Sequence, residues 1–347
     1  MSKVKDQIIT DKYAIYNGDC IDVISQLEND SIDFSVYSPP FAGLYIYSSD
    51  KKDMSNNDTP EAFLEHYEFL IKEMSRVLKP GRICAVHCTD VITNTTKHNL
   101  WDFPHEIIKL HQKHGFTYNN RITIWKEPLE VRMRTMVQSL THKNIVEDST
   151  RCFTAIPDYI LIFRKGGENK VPVTHENGLT DFPYFGGTPF LDMHKQTYGD
   201  YENFVKKYKN EKDPKVNKLS HLTWQRYASS VWDDIRNNNV LEFKSAKEDD
   251  DEKHVHPLQL DVIDRLVYLY SNPGEVVLTP FAGVGSEVFS PVSLGRKAIG
   301  IELKESYFKQ MRLNVADAEK RFKNSVKIVG LFDAIAQDNE NEVDHNA

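Results

Sequence analysis

Cysteine is scarce in this 347-residue chain: Cys20, Cys84, Cys88 and Cys152. None stands at CxxC spacing from another, so the sequence offers neither a zinc site nor a disulfide framework. No apolar run approaches the ~20 residues that a membrane helix needs, and no secretory leader opens the chain. A cytoplasmic, reducing setting without membrane contact is expected. Positive charge is also short. Lys and Arg number 43 against 51 Asp and Glu, a net charge of −8. That excludes an overall basic nucleic-acid binder but leaves room for a local basic face. From Arg121 to Arg226, 17 Lys and Arg outnumber 13 Asp and Glu, while acid gathers at 248–252 and from Asp338 to Asp344. Phosphates sense charge within a Debye length of ~8–10 Å, so a patch suffices. Apolar residues are ample, at 40% with 11% aromatic. They can fill one large α/β domain with an inserted lobe.

Two stretches stand out. Ser31 to Tyr37 alternates apolar and polar residues, as a strand does, and meets Ser38-Pro39-Pro40-Phe41. Neither proline can donate to a ladder, so the strand ends at Ser38. In open α/β sheets ligands bind at such ends. A hydroxyl, carbonyls fixed by two prolines and an aromatic face suit a flat ring bearing an amino group; an ordinary Pro-Pro turn beside a core Phe has the same sequence.

The second stretch is Val276-Val277-Leu278, then Thr279-Pro280-Phe281-Ala282-Gly283-Val284-Gly285-Ser286, then a helix and the strand from Ala298 to Glu302. Strand, glycine turn, helix and an acid-ended strand form a nucleotide-cofactor pattern, with Glu302 placed for ribose hydroxyls. The third glycine of Gly-x-Gly-x-x-Gly is missing, since position 288 is Val, and no Lys follows. A phosphate cradle is therefore disfavoured, and a ribose cofactor without phosphate, S-adenosylmethionine, fits better. A tight strand-to-helix turn with a surface Glu is the plainer alternative.

Together these stretches resemble the β-class amino-methyltransferases of DNA. In that family a (Ser/Asn/Asp)-Pro-Pro-(Tyr/Phe) motif comes first and Asp-Pro-Phe-x-Gly-x-Gly last, and this chain has the same order over residues 12–165 and 225–315. The resemblance implies an α/β, Rossmann-like class I methyltransferase fold in permuted order, with an inserted target-recognition region. It implies a catalytic half at 12–165, the insertion at 166–250, a cofactor half at 251–330 and an acidic tail at 331–347. Ser38, Pro39, Pro40 and Phe41 would be catalytic. Asp19, His256 and the loop Thr279, Pro280, Phe281, Ala282, Gly283, Gly285 and Ser286, with Glu302, would hold the cofactor. Asp19 would lie against the adenine, though it also suits a plain helix cap. Thr279 departs from the family's acid, which weakens any charge contact to the methionine amino group.

The rest of the chain is less specific. Residues 1–12 read as a leader. Tyr45 and Tyr47 stand beside Phe41 and would wall a pocket for an extruded base, or pack in a surface loop. Lys126 to Thr150, with Arg132 and Arg134, reads as a DNA-facing loop or a helical excursion. Lys206, Lys207 and Lys209 with Tyr208 suggest DNA contact, although a lysine run is usually a solvated face. His87 ends a buried strand, Arg82 to His87, and is expected to be structural more than functional. DNA is the expected partner, and a homodimer is compatible with the chain. Serine at the head of the motif is common in cytosine-N4 enzymes. The longer string from Ser38 through Ser48, with Met54, resembles orphan adenine methyltransferases of phages and prophages, so adenine is favoured. Glutamine methylation in a protein, and a non-catalytic DNA binder with this fold, are the further alternatives.

Overall fold

The computed structural model describes residues 4–40, 54, 59–94, 99–135, 140–152, 154–176, 178–179, 207–208, 211, 213, 215–246 and 257–322. The chain enters through β1 (Val4–Ile9), β2 (Tyr13–Gly18), α1 (Cys20–Ile24) and β3 (Ile32–Tyr37). Helix α2 (Pro60–Val77) and β4 (Leu78–Thr89) follow, then a small ribbon of β5 (Val91–Asn94) and β6 (Asn99–Trp101). Next come α3 (Phe103–Lys113), β7 (Phe116–Ile124), α4 (Pro128–Thr135), α5 (His142–Asp148) and β8 (Asp158–Lys165). The last part holds α6 (Lys218–Tyr227), β9 (Val231–Trp232), α7 (Leu260–Tyr270), β10 (Val276–Thr279), α8 (Ser286–Ser293) and β11 (Lys297–Glu302). Helix α9, 305–322, closes the described chain.

Local chemistry sets these elements. Thr59 caps α2 by accepting from Ala62 N, Pro60 fills the first turn, and Phe63, Tyr67, Leu70, Met74 and Val77 share its buried face. Strand β3 is buried along its whole length, as a central parallel strand must be. The N-terminal segment departs from the expected leader. Its residues 4–9 form β1, antiparallel to β2, because backbone pairing needs no apolar face at a sheet edge.

Nine strands form one sheet in the order β1-β2-β11-β10-β3-β4-β8-β7-β9. From β2 to β4 all neighbours are parallel; β8 runs antiparallel to both β4 and β7. One core lies between the sheet and α1, α2 and α3, and others lie under α7, α8 and α9 on the opposite face. This is the expected doubly wound α/β sheet. The connection β10-α8-β11 winds one way and β3-α2-β4 the other. The switch point, where such sheets bind ligands, lies between β10 and β3. Permutation makes these neighbours distant in sequence: Leu278 pairs with Ser35. Strand β9, from the segment expected to be inserted, joins the edge of this sheet beside β7.

Candidate active site

Both sequence motifs emerge at the switch point. Strand β3 stops at Tyr37, and Ser38 stands half-buried at its end with Pro39 buried behind it. Strand β10 stops at buried Thr279 on the adjacent parallel strand. The Tyr37 and Phe281 rings, one from each side, lie 5.9 Å apart.

Ser38 has a partner that sequence did not assign. Its Oγ lies 3.0 Å from His87 Nδ1. His87 Nε2 is 3.2 Å from Asp158 Oδ2, and Lys126 Nζ also contacts that oxygen. His87 and Asp158 are both buried. Burial alone would raise the Asp158 carboxyl, but the Lys126 ammonium and then His87 hold it well below the usual carboxylate range. His87 thus stands beside the motif serine, a place compatible with the expected structural role. The available signals were a histidine ending one buried strand and an acid opening another. Their meeting depends on β4 and β8 being neighbours, which no local pattern states.

Below the motif on the opposite face, Tyr37 Oη is 2.9 Å from Tyr67 Oη and 3.4 Å from His111 Nε2. Burial pushes the His111 imidazole down to about 3, so it is neutral. Its Nδ1 donates to Ile107 O at 2.8 Å and its ring stacks on Phe163 at 4.0 Å. Pro39 and Pro40 therefore follow a strand end anchored from both faces.

The glycine loop is built for close approach. Gly285 has φ +97°, and a Cβ there would sit 2.8 Å from Met311 Cγ. Gly300, on β11, does part of the work of the missing third glycine: a Cβ on it would strike Val288 Cγ2 of α8. Glu302 closes the loop. Its Oε2 accepts from Gly283 N and its Oε1 from Lys304 N, each at 2.8 Å. Each carboxylate oxygen can accept a second hydrogen bond, so ribose hydroxyls are compatible with these contacts. Asn17 donates to the carbonyls of Glu302 and Leu303 at 2.9 and 3.0 Å, tying β2 to the end of β11. Asp19 caps α1, with Oδ1 accepting from Asp22 N at 2.9 Å. Pro280 and Ala282 are buried in the loop.

Two buried hydroxyls, Thr279 Oγ1 and Ser286 Oγ, find no hydrogen-bond partner among the described residues. Buried polar atoms without partners cost free energy unless a ligand satisfies them. Open space at Gly283, two buried hydroxyls without partners among the described residues and an acid at the next strand end fit S-adenosylmethionine. Burial pushes the neighbouring Glu287 carboxyl up to about 8, with the Glu302 charge adding to the effect.

The proposed DNA contacts are less gathered. Lys126 to Thr150 contains two helices, α4 and α5, and Arg132 is half-buried on α4. Lys207 is exposed, with its ammonium 5.3 Å over the Tyr208 ring. Phe41, Tyr45, Tyr47, Lys206, Lys209, His256 and the Arg134 side chain lie outside the described residues. Among the described residues no His, Cys, Asp and Glu cluster could hold a metal ion, and no helix is long and apolar enough to cross a membrane.

Comparison with known proteins identifies the family and the fold. The DNA methylase family model of the N6/N4 group matches residues 32–313. Type II methyltransferase M.BamHI of Bacillus amyloliquefaciens is 25% identical over 94% of this chain, and M.BglII of Bacillus subtilis is 24% identical over 84%. The matches span 63% and 66% of those two proteins' own length. DNA adenine methyltransferase YhdJ of Escherichia coli is 39% identical, over 22% of this chain and 28% of its own. Among solved structures, a DNA modification methylase of Thermus thermophilus, TTHA0409, complexed with S-adenosyl-L-methionine, aligns with a TM-score of 0.56 at 22% identity, covering 88% of this chain and 95% of that one. The cytosine-N4-specific PvuII DNA methyltransferase aligns with a TM-score of 0.57 at 13% identity, covering 92% and 96%. The fold is thus that of class I methyltransferases, and the chain belongs to the DNA methylase family of N6-adenine and N4-cytosine amino-methyltransferases.

Proposed function

We propose that this protein transfers a methyl group from S-adenosylmethionine to the exocyclic N6 amino group of adenine in DNA. The observation that carries the reading is the apposition of Ser38 and the glycine loop at the ends of adjacent strands β3 and β10. Bound S-adenosylmethionine supplies an electrophilic methyl group on a sulfonium. An aromatic amino nitrogen attacks poorly because its lone pair is delocalised into the ring. Ser38 Oγ and the Pro39 carbonyl accept its hydrogens, turning the lone pair toward the methyl group. Phe41 stacks on the base. Placement supplies most of the rate, and a duplex substrate requires base extrusion at a few kcal/mol.

In the same reading, Asp19 lies against the cofactor adenine, Glu302 takes the ribose hydroxyls, and Thr279, Ser286 and His256 serve the methionine end. Tyr45 and Tyr47 wall the base pocket. Arg132, Arg134, Lys206, Lys207 and Lys209 meet phosphates. The 39% identity to a DNA adenine methyltransferase over 82 residues supports adenine. One observation favours cytosine N4 instead: the motif opens with serine, and the PvuII enzyme shares the fold. Transfer of a labelled methyl group from S-adenosylmethionine to unmethylated DNA is expected. Cofactor binding without transfer to single- or double-stranded DNA would point to a non-catalytic DNA binder or a protein substrate.

A further inference from the structure

We propose that His87 receives the proton released by the target amino group, passed through the Ser38 hydroxyl, with Asp158 holding the imidazole in the tautomer this requires. The inference rests on the reading that Ser38 touches the amino group.

The hydrogen-bond chain fixes its own polarity. Asp158, kept ionised by Lys126 and His87, can only accept hydrogens. The ring nitrogen facing it, Nε2 at 3.2 Å, is the one we assign the hydrogen. Nδ1 of the neutral imidazole is then an acceptor, and the Ser38 hydroxyl 3.0 Å away donates to it. Both remaining lone-pair directions of Ser38 Oγ are left to meet an amino hydrogen. A serine hydroxyl is by itself a poor proton acceptor at neutral pH, and a buried imidazole backed by a carboxylate remedies this.

The sheet places these groups in a row. Ser38 follows β3, His87 lies near the C-terminal end of β4, Asp158 opens β8 and Lys126 follows β7, four successive neighbours. By strand alternation they share the face that carries Phe34, Val36, Ala85, Ile160 and Ile162. The cofactor loop leaves β10, on the other side of β3, so Ser38 stands between the methyl donor site and the row. The charged and titratable groups facing His87 are Asp158 from β8, Lys126 from beyond β7 and the Ser38 hydroxyl. Farther out on this face, Arg265 of α7 pairs with Asp234, which also meets Arg226, beside Trp232. Asp90, Arg121 and Tyr159 cluster on the other face.

The step balances. The amino nitrogen's lone pair forms the N–C bond, and the breaking C–S bond leaves its pair on sulfur. The methylated nitrogen, now cationic, gives a proton to Ser38 Oγ and recovers the N–H pair. The hydroxyl's original proton moves to His87 Nδ1, and its bonding pair returns to oxygen. A neutral methylated base, a neutral serine and an imidazolium paired with Asp158 remain, and water takes the proton from His87 as products leave.

The test is single-turnover methylation of DNA across roughly pH 5.5–9 by the wild type, His87→Asn and Ser38→Ala, because product release can mask chemistry in steady state. Asparagine places Oδ1 where the imidazole has Nδ1, so it still accepts from Ser38 but cannot store a proton. The wild-type rate should fall on the acid side of that range. His87→Asn should be slower by about 10²-fold and lose that acid limb, while S-adenosylhomocysteine affinity by calorimetry stays at the wild-type value. Wild-type rate and pH profile in His87→Asn would overturn the inference, since the imidazole would then only hold the hydroxyl. If His87→Asn does not fold, Ser38→Ala decides, because it keeps His87 but removes the bridge. Its residual rate should lack the acid limb, and a retained limb would overturn the relay. A wild type that methylates no DNA overturns the proposed function and the relay with it, whereas wild-type turnover with an unaffected His87→Asn overturns the relay alone.

Discussion

The Ser35 hydroxyl donates to the Leu278 carbonyl at 2.8 Å inside the sheet. This side-chain bond crosses the switch point and joins the two motif-bearing strands just below their ends. It supplements a short ladder, in which Val277 pairs with Phe34 and Leu278 with Ser35. Ser35→Ala should lower unfolding stability by about 0.5–1.5 kcal/mol, read from urea denaturation. Unchanged stability would mean that backbone pairing and packing alone hold β3 to β10.

Glu302 ties the loop to the proposed cofactor site. It already accepts from Gly283 N and Lys304 N, so its loss both loosens the loop and removes the proposed ribose acceptor. Glu302→Ala should weaken S-adenosylhomocysteine binding by about 1–3 kcal/mol in calorimetry. Wild-type affinity in that variant would remove Glu302 from the cofactor site.

Glu287 carries a pH signature. Burial first, and Glu302 second, raise its folded pKa to about 8 from an ordinary value of 4.5. Between those values the folded state holds a proton that the unfolded state has released. Stability should therefore fall as pH rises through that window and level off above it. The melting temperature of the cofactor-free protein should show this decline, and Glu287→Gln should lack it. Parallel curves for the two proteins would contradict the assignment.

The candidate site could be proposed from single stretches because its chemistry is local. Prolines must stop β3 at Ser38, and a strand followed by Gly283 and Gly285 and then an acid-ended strand suggests a nucleotide cofactor, with a plain strand-to-helix turn as the alternative. The α/β, Rossmann-like fold was implied by the resemblance that these stretches carry. What stayed hidden depends on strand neighbours. His87 looked structural because Asp158 lies 71 residues away and only the pairing of β4 with β8 brings them together. The leader reading failed for a related reason: β1 is held by backbone pairing at an edge, which leaves almost no trace in side-chain pattern.

The basic segment should act on DNA alone. Reversing the charge of Lys206, Lys207 and Lys209 together should weaken DNA binding and flatten its dependence on salt, since fewer counterions are released. Cofactor affinity should not change. Fluorescence anisotropy with labelled duplex over a salt series reads both slope and affinity. A wild-type slope would mark these lysines as a solvated face.

The protein should methylate an exocyclic amino group in DNA, with adenine as the base. The most direct measurement is to incubate the protein with unmethylated DNA and S-adenosylmethionine, digest the DNA to nucleosides and separate them by mass spectrometry. N6-methyladenine should be the main product, with Ser38→Ala and Phe41→Ala each lowering turnover more than cofactor affinity, because their proposed contacts are to the base. N4-methylcytosine as the main product would contradict the adenine assignment and leave the placement mechanism standing. No methylated nucleoside from either single- or double-stranded DNA, with the cofactor bound, would contradict the account as a whole.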